Sequence, residues 1–227
     1  MGQDNQPDPL FAALAGQLKV PLLQIARLSE LSNAATLPRI SAISDHALRL
    51  VDAYVQVQDQ RQIALQLEPI TSSAVLYDVA TSLQPFAKHL DFELDVDIRG
   101  RGLPVMAHRL TLNTMLTILG ASLIEASADE EDVPRTLTLG THRSSRGIVV
   151  GVFSSHVPIT QRVMQLSREL HGKASQAIPS LGLAGGAGIA IADRLSEQMS
   201  APLKSFRHNS MTGIGTMLMP SSQLQLI

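Results

Sequence analysis

Two successive stretches of the chain repeat their apolar residues at three- and four-residue steps, a period that commits the N-terminal part of the sequence to helices. Phe11, Leu14, Leu18, Leu22, Ile25 and Leu28 form one such stripe, and Ile40, Ile43, Ala47, Leu50, Tyr54 and Val57 form the next. Between them, Ser32-Asn33-Ala34-Ala35-Thr36-Leu37-Pro38 supplies a helix stop, a cap candidate in Thr36 and a proline suited to the start of a new helix. The pattern predicts an antiparallel helical hairpin over residues 9–62. Two helices of about twenty residues cannot enclose a core alone. Their apolar faces therefore need a cover, and the preferred one is a second copy in a four-helix bundle, which makes the chain a homodimer. The alternative cover is the rest of the same chain.

From Ile63 the period changes to a mixture of two-residue and helical repeats, which places a second domain over residues 63–227. Phe92-Glu93-Leu94-Asp95-Val96-Asp97-Ile98 alternates apolar with acidic residues as a half-buried strand does, and Gly100 and Gly102 punctuate the chain before Leu103-Pro104-Val105. Further strands are expected over 63–67, 136–139, 147–153, 203–207 and 214–219, with helices over 72–89, 109–127, 159–170 and 188–199. This order predicts an α+β fold in which one sheet is covered on a single face by helices. The acidic run Asp129-Glu130-Glu131-Asp132 reads as a solvated loop.

Composition narrows the function. The absence of cysteine removes disulfides and thiolate metal sites, and seven scattered histidines offer no close ligand pair, so no metal site is expected. Eighteen basic against twenty acidic residues leave a net charge of −2 with no basic stripe interleaved with aromatics, which argues against nucleic-acid binding. No apolar run approaches the length of about eighteen residues of a membrane span, and the N-terminus lacks a signal-peptide pattern, so a cytoplasmic protein is expected.

The run Ala15-Gly16-Gln17-Leu18-Lys19-Val20-Pro21-Leu22 resembles the phosphoacceptor segment of bacterial sensor histidine kinases, His-Glu-Leu-(Arg/Lys)-Thr-Pro-Leu. Gly16 stands where the resemblance puts the phosphorylated histidine, and Gln17 where it puts the acid that acts on the imidazole. An amide takes no proton near neutral pH. The remainder resembles the ATP-binding domain of those kinases, of the gyrase, Hsp90 and MutL type. In Ile118-Leu119-Gly120-Ala121-Ser122-Leu123-Ile124-Glu125-Ala126-Ser127, Ser122 falls at the position of the magnesium-holding asparagine; a serine is a shorter and weaker ligand, and the segment also reads simply as an amphipathic helix facing the sheet. After the strand Gly147 to Phe153, the run Ser154-Ser155-His156-Val157-Pro158 puts Ser154 at the adenine-binding aspartate, and His156 and Pro158 at two glycines. Loss of a charged hydrogen-bond partner typically costs about 1.5–3 kcal/mol.

The best-kept motif is Leu183-Ala184-Gly185-Gly186-Ala187-Gly188-Ile189-Ala190-Ile191, similar to the glycine-rich run ahead of a helix that receives the phosphates in the family. Gly185, Gly186 and Gly188 are candidate phosphate-binding positions; the same glycines would also serve close packing of the helix on its neighbours. Gln198 to Leu203 and Thr212 to Thr216 resemble the structural elements that close the family's domain. The resemblance runs from about Leu10 to Pro220 in order, and implies a catalytically degenerate kinase core. No cofactor is then expected, with ATP and magnesium binding at most weakly. The implied role is a dimeric module for a response-regulator receiver domain or a partner kinase, offering a surface around Leu18, Val20, Leu22 and Gln24. The competing function is a working kinase, a phosphatase using Gln17, or a phosphotransfer protein that still holds ATP through its glycine-rich loop. His46, beside Asp45 on the second helix, reads as a solvated surface residue rather than a substitute phosphoacceptor.

Overall fold

The computed structural model describes residues 9–31, 36–59, 65–100, 104–128, 135–155 and 186–221. Helix α1 (Pro9–Glu30) and helix α2 (Leu37–Asp59) form the hairpin. Strand β1 (Glu68–Thr71), helix α3 (Ser72–His89), strands β2 (Glu93–Ile98) and β3 (Pro104–Ala107), and helix α4 (Arg109–Ala128) follow. Strands β4 (Thr136–Ser144) and β5 (Gly147–Ser154), helix α5 (Gly186–Gln198), and strands β6 (Lys204–His208) and β7 (Met211–Pro220) complete the described elements. The expected helix over 159–170, the acidic run 129–132 and the 62/63 boundary lie outside the described residues.

All seven strands join one sheet in the order β1-β3-β7-β5-β4-β2, with β6 also paired to β7. Only β2 and β4 run parallel; the other pairs are antiparallel. Leu137, Leu139, Ile148, Val150, Val152, Ile214 and Leu218 point from the strands into the core shared with α3, α4 and α5, which is the α+β arrangement the sequence predicts. The first strand corrects the expectation: residues 65–67 have no regular structure and pairing starts at Glu68. Pro69 is tolerated there because β1 is an edge strand, with only β3 beside it.

Local chemistry explains the ends of the elements. At the end of α3, Asp91 adopts a left-handed backbone (φ 59°) and the Phe92 N–H donates to the Ala87 carbonyl at 2.9 Å, closing the helix and turning Phe92 inward. After α5, Ser200 takes the same conformation (φ 56°), while the Ala201 N–H reaches the Ser196 carbonyl at 3.0 Å.

Helix α4 departs from the amphipathic expectation. Every residue from Met115 to Ile124 is buried, so α4 has no solvent face in that stretch. Contrary to the sequence expectation, it is long and apolar enough by length and composition to cross a membrane, but its apolar window is 72% buried inside the fold, as a core helix is. The hairpin is what completes its burial. Leu10 and Leu14 of α1 and Leu50, Ala53 and Val57 of α2 belong to the same core cluster as α4 and α5. Fully burying each leucine contributes about 1.5–3 kcal/mol. The hairpin's inner face is thus covered by its own chain, the alternative cover, while Phe11, Leu22, Leu23, Leu31, Leu37 and Leu48 remain exposed on the outside.

Candidate functional site

Three of the candidate positions, Gln17, Ser122 and Gly188, come together where α1 meets the start of α5. Leu10, Leu14, Gln17 and Pro21 make the buried stripe of α1. This corrects the predicted stripe, which is rotated: Phe11 is 52% and Leu22 61% exposed. A glutamine sits on the buried stripe because both ends of its amide are satisfied. Its Oε1 accepts a hydrogen bond from the Gly188 backbone N–H at 3.1 Å, and its Nε2 donates to Glu125 Oε2 at 2.9 Å. Gly188 lies in the first turn of α5, where backbone N–H groups have no partner within the helix. The side-chain carbonyl of α1 therefore supplies, across 171 positions of sequence, what a capping residue would supply locally.

Glu125 binds a second group from the hairpin. His46 Nε2 of α2 stands 3.0 Å from Glu125 Oε1, at ion-pair distance though off the line of a hydrogen bond, and its ring stacks on Phe86 with centroids 4.3 Å apart. His46 is 3% exposed, which overturns the expectation of a solvated residue. One carboxylate on α4 thus gathers one side chain from each hairpin helix. Further ties run from Gln56 Nε2 to Thr111 Oγ1 (3.1 Å), from Gln198 Nε2 to the Val57 carbonyl (3.2 Å), and from Arg49 to the Ser82 hydroxyl.

Gly16, one residue from Gln17, lies on the opposite face. It is exposed, and a methyl group added there would meet no other side chain or neighbouring helix within 4 Å. Leu22 and Gln24 are exposed, Val20 is half-buried, and Leu18 packs partly against the core. The four positions named for a partner surface are therefore not on one face.

Among the described residues, Ser122 offers no open position for a magnesium ion. Ser122 Oγ is fully buried with no hydrogen-bond partner, and a Cβ on Gly188 would lie 2.0 Å from it, so α4 and α5 are in backbone-close contact where a metal would have to sit. Ser154, at the end of β5, is buried and paired in register with Thr212 of β7. Gly186 opens α5; Gly185, His156 and Pro158 lie outside the described residues. Among the described residues, no three His, Asp or Glu side chains could hold a metal together.

Sequence reasoning missed the roles of Glu125, His46 and Phe86. Glu125 carried a signal: it is the one acidic residue in the twenty of α4, and a lone carboxylate in an apolar helix needs a partner. On the sheet face away from the helices lies a second polar cluster. His208 Nε2 is 2.9 Å from Asp97 Oδ2, His208 Nδ1 is 3.0 Å from His142 Nδ1, and Phe153 stacks on the His208 ring at 4.8 Å.

No family model matches the chain, and no curated protein matches it. Solved structures do. The chain is similar to full-length ShkA in complex with AMPPNP, with 18% identity and a TM-score of 0.56 over 92% of this chain and 43% of that one. It is also similar to the histidine kinase ThkA in complex with the response regulator protein TrrA (16% identity, TM-score 0.54, 92% of this chain and 60% of that one). The histidine kinase AdeS of Acinetobacter baumannii matches at 14% identity and TM-score 0.51, covering 90% of this chain and 97% of that one. The chain thus has the fold of a histidine-kinase core, a helical hairpin followed by an ATPase-type α/β sandwich. It spans less than two thirds of ShkA and of ThkA.

Proposed function

We propose that this chain is a catalytically degenerate histidine-kinase-like protein of a two-component system, acting as a dimeric, cytoplasmic binding module for a response-regulator receiver domain or a kinase. The observation that carries the reading is the pair Gly16 and Gln17. The exposed position has no side chain to accept a phosphoryl group, and the neighbouring position holds an amide already engaged by Gly188 and Glu125. A group so held is not available to activate a nucleophile or to position water on an aspartyl phosphate. The solved complex of ThkA with a response regulator supports a receiver domain as the partner class. The outward apolar residues Leu22, Leu23, Leu31, Leu37 and Leu48 offer the surface on which a second hairpin or a receiver domain would bury area.

The second reading, an ATP-binding kinase or phosphatase, draws on the helix N-terminus at Gly186 to Gly188, which remains suited to phosphate. Incubation of the purified chain with γ-labelled ATP and magnesium decides between them. No acid-labile label on the protein is expected, and stoichiometric phosphohistidine would overturn the degenerate reading. Light scattering is expected to give a dimer, and Leu22→Asp is expected to weaken it.

A further inference from the structure

The seam between the hairpin and the sandwich is not closed along its whole length. Between α2 and the first half of α4 lies a cleft of about 360 Å³, a size found for small-ligand sites. Its described walls come from those two helices, so it stands apart from the start of α5. Two ties frame it, two turns apart on α2: Gln56 donates to Thr111 of α4, and Arg49 donates to the Ser82 hydroxyl of α3. Ala53 and Ile118, both fully buried, line its inner side.

The charges on the α2 wall are left unmatched. Arg49 and Asp52 both line the cleft one helical turn apart, the spacing at which opposite charges on a helix ordinarily meet. No ion pair joins them, and Asp52 has no ion-pair partner among the described residues. On the α4 wall, Asn113 and Thr114 present an amide and a hydroxyl that also have no hydrogen-bond partner among the described residues.

We propose that this cleft binds a free α-amino acid. Such a molecule carries its ammonium and its carboxylate on one carbon, and two side chains one turn apart on the same wall can converge on both. The Arg49 guanidinium takes the carboxylate and the Asp52 carboxylate takes the ammonium, each through charge-assisted hydrogen bonds. A plain carboxylic acid would bring its negative charge to Asp52, and a plain amine its positive charge to Arg49. The amide of Asn113 and the hydroxyl of Thr114 supply neutral contacts from the opposite side. With its charges held by α2 and its neutral contacts made by α4, the bound molecule bridges the hairpin to the sandwich and favours the docked arrangement. This site goes beyond the proposed function and does not depend on whether the chain transfers phosphate.

Amide NMR of the full chain, titrated in turn with each of the standard amino acids up to about 10 mM, tests the site. At least one saturates, with shifts confined to the residues of α2 and α4 that line the cleft. Arg49→Gln and Asp52→Asn each raise its midpoint about tenfold, and both side chains are exposed, so the variants keep the fold. The amide of that amino acid, which lacks the carboxylate, and its N-acetyl derivative, which lacks the ammonium, also bind about tenfold more weakly. No saturable binding by any amino acid, saturable shifts centred elsewhere, or a midpoint unchanged in either variant would overturn the proposal. Binding lost in Arg49→Gln alone would make the cleft a site for carboxylates in general and overturn the amino-acid assignment.

Discussion

Gly16 and Gln17 are neighbours in sequence and opposites in environment, and the two faces of α1 they represent differ in what each can tolerate. The inward face, Leu10, Leu14, Gln17 and Pro21, is buried against the chain's own helices. The outward face carries Gly16, Leu22 and Leu23 in the open. On the first, each side chain has a partner whose loss is felt across the fold. On the second, change costs folding little.

The largest expected effect contrasts Leu50 with Leu23. Leu50 of α2 is fully buried in the core cluster, and Leu50→Ala is expected to cost about 2–5 kcal/mol. Leu23→Ala, at 61% exposure, is expected to stay within about 0.5 kcal/mol. Chemical denaturation of the two variants checks the pair. The pair is compared at protein concentrations too low for a dimer to form, where similar losses would mean that the outward face is also covered within the folded chain.

Gln17→Ala comes next. It leaves the Gly188 N–H and one oxygen of Glu125 without their partner in a buried setting, for an expected loss of about 1–3 kcal/mol. Gly188→Ala is expected to cost about 1–3 kcal/mol, because the new methyl would lie 2.0 Å from Ser122 Oγ, which must turn away, and 3.3 Å from both Ser122 Cβ and Ile118 Cγ2. Gly16→Ala reverses the sign. With nothing in its way and a helical backbone, it is expected to stabilise by about 1 kcal/mol. Thermal melts of the three variants read the contrast directly, and a destabilising Gly16→Ala would show that the outward face is constrained after all.

This division was only half legible in the sequence. The apolar period located α2 and chose its inner face correctly at Ile43, Leu50 and Val57. The same period placed α1 but turned it the wrong way, because that helix is apolar on both sides and its buried stripe includes a glutamine. Periodicity counts apolar residues, and it has no term for an amide satisfied by a residue 171 positions away. Strands β2, β4, β5, β6 and β7 were legible from their apolar patterns, whereas β3, four residues that follow the glycine-punctuated stretch, was not read as a strand. Helix α4 was located but misjudged as amphipathic, for its second cover is the hairpin, a contact that local patterning does not carry. The junction around Glu125 was hidden for the same reason.

The far face of the sheet supplies the smallest and most specific prediction, because its polar cluster titrates apart from the hairpin junction. Burial pushes His142 below the usual imidazole range, and the nearby charges of His208 and Arg99 push it further. For Asp97, burial alone would raise the carboxyl, but hydrogen bonds from His208 and Asn209, the His208 charge and Arg99 hold it below the ordinary carboxylate range. Both shifts favour the deprotonated form in the folded chain. The His142 contribution is therefore complete above its unfolded value of about 6.5 and is lost as pH falls from there towards its folded value. Asp97 adds a second loss only in stronger acid, as pH falls through its folded value. His89, lowered by burial and by Arg39 against the opposing Asp91, acts with the same sign as His142. Stability measured by denaturation should consequently fall as pH drops below about 6.5, and His142→Asn should flatten part of that slope while leaving the His89 part. Amide exchange would place the His142 portion in β4 and β6. An acid loss confined to α1 and α2, and unchanged in His142→Asn, would move the pH sensitivity to the hairpin junction and break the distinction between the two clusters.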